Sequence, residues 1–78
     1  MKITYTVHAL ERIRQRKISF EDISRCIESP DRVIVEHDMS KNIMKINNNV
    51  LIVVFRREDD NIIVITAYRS SRVEKYLS

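Results

Sequence analysis

At 78 residues the chain is too short for two ordinary domains and lies near the lower size at which one hydrophobic core folds without staples. Its composition, 44% apolar and 32% charged, excludes a disordered tail, and a single cysteine excludes an internal disulfide, so a cytoplasmic setting is expected. No stretch approaches the roughly 18 apolar residues of a membrane-spanning helix and Met1–Thr6 carries no leader pattern, so neither membrane nor export is expected.

Val7 to Lys17 reads as a first helix: Thr6 suits an N-cap, and Ala9, Leu10 and Ile13 recur on one face at helical spacing. Ser19 opens a second helix, with Asp22 three residues on in a variant of the capping box. Phe20, Ile23, Cys26 and Ile27 form its apolar stripe, and Pro30 stops it. Beyond Pro30 the pattern turns to β-branched runs between polar turns, giving strands at about Arg32–Glu36, Ile43–Asn47, Val50–Arg57 and Asn61–Arg69. The chain has no glycine, so the turns at Asp38–Asn42, Asn47–Asn49 and Glu58–Asn61 fall to Asn, Asp and Ser. Val50–Phe55 and Ile62–Ile65 are continuously apolar, which predicts central strands covered on both faces. Part of that cover is expected from a short last helix, opened by a Ser71/Glu74 capping box and presenting Val73, Tyr76 and Leu77. Residues 1–78 thus read as one α+β domain: two N-terminal helices on a four-stranded antiparallel sheet, with a short C-terminal helix. The predicted core includes Ala9, Leu10, Ile13, Phe20, Ile23, Ile27, Val33, Val35, Ile52, Val54, Val64 and Ile65.

The net charge of +3 is unevenly spread. Lys2, Arg12, Arg14, Arg16 and Lys17 meet only Glu11 in the first 17 residues, acids dominate residues 21–38, and Arg69, Arg72 and Lys75 restore the positive sign. Such a chain can hold a polyanion on one surface. His8, Arg12 and Arg16 recur every four residues and would stack along one helix side, about 5–6 Å apart and away from the Ala9/Ile13 face. Arginine recognises phosphate through several donors and histidine exchanges a proton near neutrality. The plainer reading of the same stripe is a solvated helix face. Thr66 and Tyr68 share one face of the last strand while Arg69 takes the other. Both hydroxyls can donate to phosphate and Tyr68 can stack on a base; alternatively Tyr68 is a part-buried core residue with a wet hydroxyl. Lys45, Arg56 and Arg57 add charge on neighbouring strands, the two arginines beside the acids at 58–60. His37 next to Asp38 lacks further ligands at metal spacing, and Cys26 on its apolar stripe lacks the electropositive setting of a reactive thiol.

Three segments carry a resemblance: His8-Ala9-Leu10-Glu11-Arg12-Ile13-Arg14-Gln15-Arg16; Ile18-Ser19-Phe20-Glu21-Asp22-Ile23 running on to Ser29-Pro30; and Val64-Ile65-Thr66-Ala67-Tyr68. Together they resemble a group of small prokaryotic proteins usually labelled a domain of unknown function. The order of elements is also similar to the RelE, ParE and BrnT type of toxin, whose ribonuclease members cut RNA without a metal. Where that group often places glycines before the third strand, this chain has Asn47-Asn48-Asn49. The resemblance implies a metal- and cofactor-independent endoribonuclease in which a ribose 2′-hydroxyl attacks the adjacent phosphate. His8 would move the proton, Arg12 would stabilise the phosphate and Tyr68 would support it as the third catalytic group. Arg16, Lys45, Thr66 and Arg69 would bind RNA. The partners expected are RNA and an acidic antitoxin protein, with a homodimer left open. The alternatives are a non-catalytic RNA-binding or protein-interaction module, and a structural subunit whose basic stripe an acidic partner covers.

Overall fold

The structure is a computed structural model that describes residues 2–78. In chain order it holds β1 (Lys2–Tyr5), α1 (Val7–Gln15), α2 (Phe20–Glu28), β2 (Arg32–Glu36), β3 (Met39–Ile46), β4 (Asn49–Glu58), β5 (Asn61–Ser70) and α3 (Val73–Leu77). The sheet runs β1-β5-β4-β3-β2. β2 to β5 form an antiparallel meander, as the sequence predicts, but β1 adds a fifth strand parallel to β5, from Lys2↔Asn61 to Tyr5↔Val64. The expected four-stranded antiparallel sheet is therefore a five-stranded mixed one. Four residues are too short a run to announce a strand; the exposed edge of β5 makes β1 one by pairing with it.

Capping follows local chemistry. The Thr6 side chain accepts from Ala9 N–H and the Ser19 side chain from Asp22 N–H, satisfying donors that the first turn of each helix leaves over. α1 ends at Gln15, short of Lys17, because Lys17 swings to φ 54°. Its N–H meets the Arg14 carbonyl while Ile18 N–H reaches back to Ile13, the closing pattern in which glycine usually supplies the left-handed residue. All three hairpins have two-residue turns whose first residue is left-handed: His37, Asn47 and Asp59. The turn expected at Asp38–Asn42 lies at His37-Asp38, since β3 already begins at Met39. At the start of α3 the Ser71/Glu74 box does not form: Arg72 occupies the cap without a side-chain bond, and Ser70 Oγ accepts from Arg72 N–H.

β4 and β5 are central, and each sheet face carries its own apolar layer. Under α1 and α2 lie Ala9, Ile13, Ile18, Ile23, Cys26 and Ile27 against Met44, Leu51, Val53, Phe55, Ile62, Val64 and Ala67. On the reverse face Ile43, Val50 and Ile52 are covered by Val73, Tyr76 and Leu77 of α3. Of the predicted core, Ala9, Ile13, Ile23, Ile27, Ile52 and Val64 are buried and Val54 and Ile65 are half-buried. Leu10, Phe20, Val33 and Val35 are exposed. Leu10 and Phe20 line the outer groove between α1 and α2, where Phe20 packs edge-on to Tyr5 at 5.0 Å between ring centroids. Val33 and Val35 belong to the edge strand β2, and α2 packs on β3 and β4 instead.

Candidate nucleic-acid interface

β1 pairs with Asn61–Val64 only, so the outer edge of β5 lies open beyond Val64 and its backbone groups need other partners. α1 supplies them. Thr6 N–H donates to the Val64 carbonyl at 3.1 Å and Thr6 Oγ1 to the Ile65 carbonyl at 3.4 Å, anchoring the start of the helix. At its far end the Arg16 guanidinium donates to the Ala67 carbonyl at 2.7 Å, and the Arg69 guanidinium donates in return to the Arg16 carbonyl. The two arginines clamp the last turn of α1 to the strand, and Arg69 also meets the negative end of the helix dipole.

With Ala9 and Ile13 turned inward, His8, Arg12 and Arg16 are all exposed on α1. The ion pairs among the described residues are Asp22–Arg25 at 3.5 Å and Arg56–Glu58 at 3.1 Å, so no carboxylate neutralises the stripe. From His8 to Arg16 is eight residues, about 12 Å of helix axis.

Tyr68 projects onto the reverse face, against the layer that α3 covers, with half-buried Thr66 two residues before it. Burial pushes the Tyr68 phenol above its ordinary value and the neighbouring Tyr76 hydroxyl adds to this, while nearby Arg16 works the other way. Tyr68 is therefore a phenol that keeps its proton at neutral pH, a donor and not a base. The structure thus brings Arg16, Arg69 and Tyr68 together around the open edge of β5. His8 and Arg12 continue the same side of α1. Lys45 stands apart: it lies on β3, two strands from β5, pairs with Val50 of β4, and its backbone N–H donates to Asp31 Oδ2 at 2.7 Å. Arg56 is held by Glu58, and Arg57 lies over the Phe55 ring at 5.6 Å.

Two features were not legible in the sequence. Tyr76 reads there as an apolar contact, yet its hydroxyl neighbours Tyr68; nothing local distinguishes that role. Asn42 is buried and donates from Nδ2 to the carbonyls of Cys26 and Ile27, at 3.2 and 3.3 Å, tying the end of α2 to β3. Nearby, the Cys26 thiol donates to the Asn42 carbonyl at 3.3 Å. Burial pushes its pKa up to about 12, which makes it a core group and a poor nucleophile. Among the described residues no group of three His, Cys, Asp or Glu side chains converges on a metal-sized site, and no helix is long and apolar enough to cross a membrane.

No curated protein and no solved structure matches the chain. A family model does match, over residues 5–69, from the last residue of β1 to the end of β5. That span takes in α1, α2 and the whole meander, and the chain belongs to the family described as a domain of unknown function, DUF4258.

Proposed function

We propose that this chain binds RNA along the exposed side of α1, with the phosphate backbone lying across His8, Arg12 and Arg16 and a base at Tyr68. The observation that carries this reading is the stripe itself: three cationic or titratable side chains one helical turn apart, exposed and unmatched by any carboxylate. One turn, about 5–6 Å between neighbouring Cβ atoms, is of the order of the step between successive phosphates in a single strand. Arg12 and Arg16 would each neutralise one phosphate, and Thr66 and Tyr68 would donate hydrogen bonds from the strand. Arg16 gives one guanidinium nitrogen to the clamp and keeps the others for phosphate, while Arg69 supports the site by holding the last turn of α1 in place.

A second reading, cleavage by 2′-hydroxyl attack as in RelE-type toxins, is favoured by Tyr68. A phenol that stays protonated near a guanidinium is equipped to protonate a leaving oxygen while Arg16 stabilises the charge on the non-bridging phosphoryl oxygens. His8 would then serve as the base. In the cell an acidic antitoxin segment would cover the stripe. Incubating the protein with a long unstructured RNA in EDTA tests both readings. Salt-sensitive binding without fragments supports the interface alone, and fragments ending in 2′,3′-cyclic phosphate support cleavage. Absence of binding at low salt rejects both.

A further inference from the structure

The edge strand β2 presents an unpaired, self-complementary face. Two-residue turns close on pairs that exchange both hydrogen bonds, so Glu36 bonds to Met39, and alternation assigns Ile34 and Arg32 to β3 as well. Val33 and Val35 therefore aim their N–H and C=O groups away from the sheet. The two residues are 50% and 66% exposed, with their side chains on the helix-bearing face, which α2 leaves bare here. Edge strands are commonly blunted by lysine, proline or a bulge, and Arg32-Val33-Ile34-Val35-Glu36 has none of these. Nor does either charged end have an ion-pair partner within the described residues. Arg32 donates to the main-chain oxygens of Tyr76 and Ser78, at 2.9 and 3.3 Å, through one of its two terminal nitrogens.

We propose that β2 pairs with β2 of a second copy of this chain, antiparallel about a two-fold axis through Ile34, joining two sheets into one of ten strands. This register satisfies three independent requirements together. Val33 falls opposite Val35 of the other copy, twice, so the outward backbone groups meet as hydrogen-bonded pairs and the exposed valines cover one another. Ile34 meets its own counterpart as the closer, non-hydrogen-bonded pair. Arg32 falls opposite Glu36 at both ends, giving each side chain an acid–base partner across the axis. Moving the two-fold axis to Val33 or Val35, a two-residue slip of the strands, would oppose that valine to its own counterpart and break both Arg32–Glu36 pairs. The symmetry is isologous and closes at two copies, which removes the edge.

A five-residue strand pair makes a small interface, so the assembly is read by sedimentation equilibrium of the full chain from about 1 μM to about 1 mM. The parent is expected to show a monomer–dimer equilibrium in that range. Glu36→Arg sets like charges against each other at both ends and should weaken the dimer roughly tenfold or more, as should Arg32→Glu. An equimolar mixture of the two variants should restore it as a heterodimer, because each substituted position then faces its opposite charge. Since Arg32 also holds the last turn of α3, Val35→Pro provides a second probe: it removes an N–H that only the other copy would use, and it should leave a folded monomer. A parent that stays monomeric throughout, or a dimer indifferent to Glu36→Arg and Val35→Pro, would overturn the proposal.

Discussion

Comparing Arg12→Ala with Arg16→Ala separates what the α1 stripe does for the fold from what it does for a ligand. The Arg12 side chain is exposed and makes no hydrogen bond or ion pair within the described residues, so its removal should change stability by no more than about 0.5 kcal/mol. Arg16 is also exposed, yet its guanidinium holds the Ala67 carbonyl at 2.7 Å on the open edge of β5. A charged donor to a carbonyl would be worth about 1.5–3 kcal/mol if buried; solvent at this position cuts that to roughly 1 kcal/mol. For a domain of this size the loss corresponds to a fall in Tm of roughly 4–8 °C. Both variants delete one phosphate contact, so each should lower the salt slope of single-stranded RNA binding by about 0.7 and weaken affinity at low salt by about 1 kcal/mol, or roughly fivefold. Thermal unfolding by circular dichroism and fluorescence anisotropy over a salt series give the two readouts. Equal thermal stability for the two variants would refute the clamp. Unchanged RNA affinity in both would refute the interface and return the stripe to a solvated helix face.

If cleavage occurs, His8→Gln should lower its rate by roughly two to four orders of magnitude in single-turnover assays while RNA affinity holds; equal losses in both would make His8 a binding residue. Asn42→Asp places a carboxylate against the carbonyls of Cys26 and Ile27 in a site with no cation, and urea titration should show a loss of about 3–5 kcal/mol at neutral pH. Because burial raises the folded-state pKa of that carboxyl, the deficit against the parent should shrink as pH falls through that pKa; a pH-independent deficit would contradict the account. For Cys26 the folded pKa near 12 stands above the unfolded value of 9.0, so its stabilising share is whole below pH 9 and declines as pH rises towards 12. Over that window the parent should lose up to about 1.4 kcal/mol per pH unit relative to Cys26→Ala, with parallel slopes as the refuting result.

The sequence by itself determined the elements whose causes are local. Thr6 and Ser19 cap because their hydroxyls reach a backbone N–H three residues on, whatever lies elsewhere. The three β-hairpins follow from polar residues that interrupt β-branched runs, and the exposure of His8, Arg12 and Arg16 follows from the opposite helix side carrying Ala9 and Ile13. Tertiary structure decided whatever depends on a distant partner. Lys2–Tyr5 is a strand because β5 has an edge to offer, and Val33 and Val35 are exposed because β2 lies beyond the reach of α2, although their alternation matches that of a buried strand. The arrival of Arg16 beside Tyr68 has the same origin. Side-chain spacing ranks residues along one element, but only the packing of α1 across the open edge of β5, and of α3 on the reverse face, brings the Arg16 guanidinium and the Tyr76 phenol into the surroundings of Tyr68.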